Sequence, residues 1–496
     1  MSWRVAAVFL TLGVLTRIPF QTEFLWAHDS VLYARAIERF DPLDQRPQAP
    51  GYLYYVLLLR AVHAIVGDPN RAMTVVSLVA GAAAIALLYV FAARLYDERT
   101  ARASGAFMLT AVTFWAYGGV AYPYTLLAAL SIGCTLLFWL ALRAGARRGP
   151  RLAIASVAYA IAIGFRFDLA IFLAPLWLMA ALGSPLLWTL ASAALGALLV
   201  LAWFFASAAF DGGVSAMLEA LRVQGKFVND RYSVFGDLGL RALYGNSYEL
   251  ARFLGRGLYF LAPLLAAVPL SAGARRIELS DRRRVVFVLL WTLAPLAIYV
   301  PIHVGEYGYV FSMLPGLCVI AARGAIALAR GSRMPRSLPW IVTTVALANA
   351  AVFLVSDTPL SAKDVIRRDR GFAEKVQWLE QHDLRRATIV SAYDALIVEY
   401  YVIERYSERG WLLPPLLWKY DPALPRSQRI FEAAPCDTPR PDQCLPPVLV
   451  VWDDLIRVGG TGWEEVRLYY GEKLRVARNM NNVTVIIDGL SVELAR

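Results

Sequence analysis

Charged residues are scarce in this chain. Asp, Glu, Lys and Arg make up 18% of its 496 residues, and 58% of the residues are hydrophobic. Soluble domains have roughly 25% charged and 45–50% apolar residues, so the composition excludes an ordinary soluble globular protein. Apolar runs of about 15–22 residues recur along most of the chain, a pattern typical of a polytopic helical membrane protein.

Cysteine is also rare, with four residues in the chain. Cys134 and Cys318 fall within apolar runs, where cysteine behaves as a small hydrophobe. Cys436 and Cys444 bracket a short, polar, proline-rich segment, for which we expect either a disulfide in an oxidising compartment or two unpaired thiols. Two cysteines without nearby histidines do not form a ligand set for zinc.

The net charge of +11 does not indicate nucleic-acid binding, because the basic residues cluster in short loops between apolar runs. The positive-inside rule places in the cytoplasm the loops with Arg94–Arg102, Arg143–Arg151, Arg275–Arg284 and Arg330–Arg336. The opposite loops, 21–71 and 208–252, and the tail from 356 are then expected on the outer face of the cytoplasmic (inner) membrane, with the N-terminus inside.

The apolar runs predict an all-α polytopic membrane domain over residues 1–355, with about eleven transmembrane helices. The first run lacks a small-residue cleavage site before Trp26, so we expect it to be an uncleaved helix. The predicted spans lie near 4–21, 72–93, 104–120, 124–142, 152–165, 168–183, 185–207, 253–270, 285–302, 308–328 and 338–355.

The tail, 356–496, is more polar and predicts a small extracytoplasmic α/β domain. A charged linker at Arg367–Arg370 precedes a helix over 372–382. Short buried strands are expected at 387–390, 447–452 and 483–487. No glycine-rich phosphate loop follows these strands, so nucleotide binding is unsupported. Asp453 and Asp454 are interpreted as a solvated strand end rather than a metal site.

The first outer loop carries the clearest functional pattern of the chain. Asp29 lies in Trp26-Ala27-His28-Asp29-Ser30. A carboxylate at a membrane surface more often has a functional role than none. Asp29 is expected to act either as a general base or as the cap of a helix that begins at Ser30. Ala49-Pro50-Gly51 would turn the chain into an amphipathic helix over 52–66 that lies along the membrane surface.

These motifs resemble integral-membrane glycosyltransferases of the GT-C fold, a group that includes protein O-mannosyltransferases and the lipid A aminoarabinose transferase. Bacterial relatives have a Trp-Asp-Ser loop and a His-Gln-Pro-His-Pro-Pro-Gly-Tyr stretch. The corresponding segments here are Trp26–Ser30 and Asp44-Gln45-Arg46-Pro47-Gln48-Ala49-Pro50-Gly51-Tyr52. Two further segments, Gly164-Phe165-Arg166 and His303–Tyr309, are also similar. The resemblance covers roughly residues 5–330.

The chain departs from the pattern at two places. Two residues separate Trp26 from Asp29, and Gln48 and Ala49 replace a His-Pro pair. If that histidine binds the donor in relatives, His28 or His63 would have to serve here.

The resemblance implies transfer of a sugar from a polyprenyl-phosphate donor to a lipid, glycan or protein acceptor. Asp29 is then the catalytic base, and Arg166 is a candidate for the phosphate because guanidinium binds phosphate with two parallel hydrogen bonds. The alternative is that Arg166 and Asp168 only satisfy each other or extend to the membrane interface. The other candidates are Arg71 and His303 for the donor phosphate and His28, Tyr52, Asp168, Glu306 and Tyr307 for substrate contacts.

No Asp-x-Asp pair occurs in the first loop, so we expect no obligatory metal and no other cofactor. The expected partners are the lipid-linked donor, its acceptor and membrane lipids. A transporter or flippase for a lipid-linked or anionic substrate is the alternative function, although no internal repeat of the kind found in many transporters is evident.

Overall fold

The structure is a computed structural model that describes residues 2–270, 275, 278, 281–331, 337–382, 384, 387–411, 415–420, 429–432, 448–478, 483–487 and 490–493. The chain divides into two compact units. Residues 1–21 and 32–363 form the first unit, and residues 22–31 and 364–496 form the second. The predicted disulfide between Cys436 and Cys444 lies outside the described residues, whereas Cys134 and Cys318 are buried free thiols.

The first unit is predominantly helical. Its α-helices are Trp3–Leu15, Leu53–Val66, Pro69–Leu95, Glu98–Thr110, Val112–Tyr117, Tyr124–Leu142, Arg148–Phe165, Leu169–Phe172, Ala174–Leu182, Leu186–Phe210, Val214–Tyr232, Arg241–Leu258, Ala262–Leu270, Arg282–Leu293, Leu296–Tyr299, Leu314–Gly331 and Ser337–Val355. Short 3₁₀ helices occur at Ile18–Phe20, Pro42–Asp44, Gly145–Arg147, Tyr259–Leu261 and Tyr307–Ser312.

Some of these helices are long and apolar enough to cross a membrane. Among the described residues they are Trp3–Phe20, Pro69–Leu95, Tyr124–Leu142, Leu186–Phe210, Arg241–Leu270 and Ser337–Val355. The polytopic all-α class of this unit is therefore confirmed, and the protein is a multi-pass membrane protein. The count of eleven spans is not confirmed.

Interruptions explain why hydropathy does not determine the number of spanning helices. Pro295 separates Arg282–Leu293 from Leu296–Tyr299, and Ala111 adopts an extended conformation between Glu98–Thr110 and Val112–Tyr117. A proline lacks the backbone N–H that a continuous helix needs, and an extended residue ends the hydrogen-bond ladder. Predicted spans such as 285–302 and 104–120 are thus divided into shorter helices.

The segment 208–252, which the sequence predicts to be the second outer loop, contains regular helices. Residues in it form the helix Val214–Tyr232 and the first turns of Arg241–Leu258. The latter helix buries Ala242, Asn246, Leu250 and Phe253, which follow the helical period. Its other face is polar, so a search for continuous apolar runs placed the start of the helix too late.

The second unit contains helices and a mixed β-sheet. The α-helices are Ala362–Gln381 and Ala395–Val398, followed by a π-helical turn at Glu399–Ile403. The strands are β1 (Thr388–Ser391), β2 (Leu416–Tyr420), β3 (Ile430–Glu432), β4 (Leu449–Val451), β5 (Arg457–Gly460), β6 (Trp463–Arg467), β7 (Lys473–Ala477), β8 (Val483–Ile487) and β9 (Leu490–Glu493).

The larger sheet has the order β3-β2-β1-β4-β7-β6, in which β1 runs parallel to β2 and β4. The other pairings in this sheet are antiparallel. A smaller sheet has the order β5-β8-β9. These elements confirm the predicted α/β class of the tail, and β1, β4 and β8 lie where strands were expected.

The charged linker expected at Arg367–Arg370 is instead part of the helix Ala362–Gln381. Val365, Phe372, Val376 and Leu379 are buried, so the apolar stripe begins before the charged residues. Arg367, Arg368 and Arg370 are exposed beside that stripe, whereas Asp369 lies on it and is buried.

Asp453 is not the solvated strand end that the sequence suggested. Only 5% of it is exposed. Its carboxylate accepts hydrogen bonds from the Ser391 hydroxyl at 2.9 Å and from the backbone N–H groups of Tyr393 and Asp394 at 3.3 Å each. Because β1 and β4 are parallel neighbours, the residues after both strands meet at one edge of the sheet. Burial, with a contribution from Asp394, raises the pKa of Asp453 to about 6.

Candidate functional site

Arg166 and Asp168 form a buried ion pair in the first unit. Arg166 follows the last turn of the helix Arg148–Phe165 in an extended conformation. Its Nη2 lies 2.7 Å from Asp168 Oδ2 and its Nε 3.4 Å from Oδ1. The side chains are 5% and 11% exposed, so each charge depends on the other for compensation.

Three tyrosines surround the guanidinium of Arg166. Its Cζ lies 5.3 Å from the ring centroid of Tyr52, 5.0 Å from that of Tyr124 and 5.9 Å from that of Tyr309. Such distances allow cation–π attraction, which is stronger where water is excluded. We call Arg166, Asp168 and these tyrosines the arginine cluster. The structure therefore brings together three of the predicted site residues, Tyr52, Arg166 and Asp168.

Local backbone features position the tyrosines. Tyr52 has a left-handed conformation (φ 49°) immediately before the helix Leu53–Val66, and it follows Gly51 with φ 91°. A Cβ at Gly51 would lie 2.5 Å from the Phe40 ring, and one at Gly308 would lie 2.1 Å from the Tyr124 ring. Both positions require glycine because the chain and an aromatic ring approach too closely for a side chain.

His303 packs beside the arginine cluster through Tyr309. The His303 ring centroid is 5.7 Å from that of Tyr309 and 4.4 Å from that of Tyr232. In the described part of the chain, its buried Nδ1 has no hydrogen-bond partner. Burial lowers the pKa of His303 to about 4, so the imidazole is neutral at pH 7.

Tyr307 lies next to a pair of arginines on the helix Arg241–Leu258. The hydroxyl of Tyr307 accepts a hydrogen bond from Arg256 Nη1, and the Arg256 Cζ is 5.4 Å from the ring centroid. The Arg252 Cζ lies 5.5 Å from the same centroid and is paired with Glu249. Glu306 accepts a hydrogen bond of 3.3 Å from the Tyr117 hydroxyl.

Sequence reasoning missed Arg252 and Arg256. Both lie in the stretch Arg241–Leu270, which is apolar enough to cross a membrane. Ionisable residues in such stretches are rare, and each is a candidate functional residue. That signal is present in the sequence, but the predicted span begins near residue 253 and leaves Arg252 outside it.

A cavity of about 460 Å³ opens beside these residues. Aromatic and charged side chains dominate its wall, which suits a ligand with both apolar and anionic or hydroxyl groups. The polar and aromatic lining residues are Tyr232, Arg241, Tyr244, Asn246, Tyr248, Glu249, Arg252 and His303.

Asp29 and His28 lie in the second unit. The helix His28–Glu38 begins two residues earlier than expected, since the N–H groups of Ser30 and Val31 both donate to the carbonyl of Ala27. Asp29 is therefore inside the first turn rather than at the capping position that the alternative interpretation gave it. It is half-buried, whereas His28 is exposed. A carboxylate in the first turn is favoured by the helix dipole.

Arg71 is exposed in the first turn of Pro69–Leu95, after the capping residue Asp68. Over the described ranges, no hydrogen bond or ion pair links its side chain to the arginine cluster or to His303. The described residues also contain no group of three or more His, Cys, Asp and Glu side chains placed to hold a metal ion.

His303 should make stability depend on pH below neutrality. Its pKa is about 4 in the folded protein, against about 6.5 in an unfolded chain. A lowered pKa contributes stability that is complete above pH 6.5 and is lost as the pH falls toward 4, by roughly 3 kcal/mol in all. We expect His303→Phe to remove this component, as measured by denaturation of both proteins at pH 7.5 and 4.5. Equal losses of stability in the two proteins would contradict the assignment.

Comparisons with known proteins agree with the sequence resemblance. Residues 48–209, about a third of the chain, match the family model described as dolichyl-phosphate-mannose-protein mannosyltransferase. The resemblance to this group of membrane glycosyltransferases is thereby confirmed for the matched segment, which contains Tyr52, Tyr124, Arg166 and Asp168. A search of curated proteins found no match.

Several solved structures are similar at low identity. ArnT from Cupriavidus metallidurans in the apo state is 14% identical with a TM-score of 0.49, covering 96% of this chain and 98% of that one. The same protein bound to undecaprenyl phosphate gives 14% and 0.48 over the same shares. The apo oligosaccharyltransferase from Archaeoglobus fulgidus is 14% identical with a TM-score of 0.46 over 80% of this chain. This chain spans 63% of the archaeal protein's length.

Proposed function

We propose that the protein is a membrane glycosyltransferase that moves a sugar from a polyprenyl-phosphate-linked donor to a lipid, glycan or protein acceptor. The observation that carries the proposal is the match of residues 48–209 to a family whose description names a sugar donor linked through a polyprenol-type phosphate. The buried arginine cluster within that segment supports it, since a membrane protein retains buried charge where function requires it.

The reaction requires one proton acceptor and one group that stabilises the departing phosphate. The acceptor's hydroxyl or amine attacks the anomeric carbon of the donor and forms the new glycosidic bond. The bond between that carbon and the phosphate oxygen breaks, and polyprenyl phosphate leaves with the electron pair. The proton of the acceptor passes to a carboxylate, for which we propose Asp29.

We propose Arg256 as the cation that binds the donor phosphate. Arg166 is the sequence-based candidate, but its Nε and Nη2 donate to Asp168 and tyrosine rings surround its guanidinium. Arg256 donates to the Tyr307 hydroxyl and, within the described residues, pairs with no carboxylate. Arg256 thus retains N–H donors for a phosphate, and the hydrogen bond to Tyr307 orients its guanidinium group. In this scheme Arg166 and Asp168 hold the tyrosines, and His303 lines the neighbouring cavity.

The proposed location is the cytoplasmic (inner) membrane, with the second unit on its outer face. The support is the distribution of arginines in alternate loops, which the positive-inside rule relates to the cytoplasm. A donor carried on a polyprenyl chain is soluble in the same membrane, so a multi-pass enzyme meets it without leaving the bilayer.

The proposal is tested with purified protein in lipid vesicles and a panel of radiolabelled polyprenyl-phosphate sugars. We expect one or more donors to yield a new glycosidic bond. Arg256→Gln should raise the KM for the donor by about tenfold to hundredfold, because a hydrogen bond to a charged group contributes roughly 1.5–3 kcal/mol. Arg256→Lys should give an intermediate KM, since it keeps the charge but loses the fork.

Arg222→Gln is the matched control. Arg222 lies on the neighbouring helix Val214–Tyr232, pairs with Glu219, and has a side chain that is 69% exposed. Its replacement should leave the KM unchanged. An unchanged KM in Arg256→Gln would overturn the phosphate assignment. Movement of a labelled donor across the vesicle membrane without a new glycosidic bond would overturn the enzyme and favour a flippase.

A further inference from the structure

The loop segment Thr22–Val31 belongs by its contacts to the second unit, although it precedes that unit by more than 300 residues in sequence. Oδ1 of Asp369 accepts hydrogen bonds from the backbone N–H groups of Glu23 at 2.8 Å and Phe24 at 3.0 Å. The Tyr401 hydroxyl accepts one from the N–H of Leu25 at 3.1 Å. These bonds hold the main chain itself, so they fix its path irrespective of the loop's side chains.

Side chains add a second set of contacts to the same segment. The Phe24 ring centroid lies 4.9 Å from that of Phe372 and 5.0 Å from that of Tyr401. The Arg368 Cζ lies 4.6 Å from the ring centroid of Trp26. Arg370 pairs with Glu23 at 3.1 Å. Helix Ala362–Gln381 thus contacts the loop through four residues within little more than one turn.

Burying the carboxylate of Asp369 at this position costs free energy. Only 7% of it is exposed, and Leu25 and Trp26 beside it are 3% and 6% exposed. Burial raises the pKa of Asp369 to about 6, even though the two N–H donors favour its ionised form. An isosteric amide would avoid the cost of a buried charge, so the carboxylate is retained for the strength of its bonds to the loop.

We propose that Asp369 is a positioning residue for Asp29. It anchors residues 23 and 24 and thereby sets where the helix His28–Glu38 begins, with Asp29 in its first turn. The second unit then has a definite role in the reaction, which is to hold the catalytic loop. This inference rests on the proposed function for its catalytic part, because Asp29 is the base only in that scheme.

Small errors in the position of a catalytic group are costly. A displacement of about 1 Å caused by a change remote from the chemistry can lower a rate by about 10²-fold. Loss of the anchor should therefore reduce kcat while leaving the donor's binding site in the first unit intact. A general loss of structure would also lower the apparent kcat at an unchanged KM, so kcat is expressed per mole of folded protein.

The experiment compares Asp369→Asn with the unsubstituted full-length protein in lipid vesicles by two measurements. Hydrogen–deuterium exchange at residues 22–31 reports on the loop, and steady-state kinetics reports on sugar transfer. We expect faster exchange at residues 23 and 24, a kcat lower by tenfold or more, and an unchanged KM for the donor.

Glu374→Gln is the matched control. Glu374 lies on the same helix and also accepts backbone N–H groups, those of Tyr469 at 2.7 Å and Tyr470 at 3.2 Å. Its loss should accelerate exchange at those residues alone and leave kcat unchanged. If Asp369→Asn fails to fold, Tyr401→Phe replaces it, since it removes the hydroxyl that accepts from the N–H of Leu25 and should shift exchange and kcat in the same direction.

The outcomes distinguish this inference from the proposed function. Unchanged exchange at residues 23 and 24 overturns the anchor, and faster exchange with an unchanged kcat overturns its role in positioning. If the unsubstituted protein transfers no sugar, the proposed function fails, and exchange still decides whether Asp369 holds the loop. If Asp369→Asn and Asp29→Asn both lower kcat with an unchanged donor KM, both proposals are supported.

Discussion

An Asp29→Asn protein is expected to fold normally and to transfer sugar about 10²–10⁴-fold more slowly than the unsubstituted protein. Asparagine has the shape of aspartate and keeps the helix start intact, but it cannot accept the acceptor's proton. Asp29 is half-buried in the first turn of His28–Glu38, where the backbone can accommodate an uncharged residue. The measurement is kcat with a saturating polyprenyl-phosphate sugar, and the donor's KM should change little.

Asp44→Asn serves as the control for Asp29→Asn. Asp44 follows Asp29 by 15 residues, pairs with Arg46, and has a side chain that is 59% exposed. Its replacement should leave kcat unchanged. An Asp29→Asn protein with full activity would refute the base assignment, while loss of activity in both variants would indicate that the loop is sensitive to charge in general.

Arg166→Met should lower the free energy of unfolding by about 3–5 kcal/mol, because it leaves Asp168 buried without its counter-ion. The pair is nearly inaccessible, and Arg166 also loses its contacts with the rings of Tyr52, Tyr124 and Tyr309. The double variant Arg166→Met/Asp168→Leu should recover much of this loss, since it removes both charges. The measurement is denaturation in matched lipid or detergent.

The exposed pair Arg222–Glu219 provides the comparison for this experiment. Arg222→Met should change the free energy of unfolding by less than about 1 kcal/mol, because exposed ion pairs contribute little to stability. A loss of similar size in the single and double variants at Arg166 would mean that packing against the tyrosines, rather than the ion pair, stabilises this region. A loss below about 1 kcal/mol would mean that water reaches Asp168.

Most of the fold class could be predicted because it depends on local properties. Apolar runs, arginine-rich loops and short strands with β-branched residues reveal helices and strands wherever they occur. Boundaries could not be predicted equally well. The helix Arg241–Leu258 was missed in its first turns because a single buried face, with Asn246 on it, resembles a polar loop when read residue by residue.

The candidate site was partly predictable for the same reason. Arg166 and Asp168 are two residues apart, so their pairing is one of the alternatives open from the sequence. Tyr124 and Tyr309 join them from distant helices, and Arg256 meets Tyr307 across 51 positions. No local pattern reports such contacts, because they arise only when helices pack.

The sequence by itself determined that this is a multi-pass membrane protein with an α/β tail, since the hydropathy and charge of each segment are local properties that do not depend on its tertiary contacts. It also singled out the loop with Asp29. Only the tertiary structure decided that residues 22–31 are part of the second unit. Asp369 accepts a hydrogen bond from the N–H of Phe24, 345 positions away in the chain. Every residue except proline has a backbone N–H, so the type of the donating residue cannot reveal such a bond.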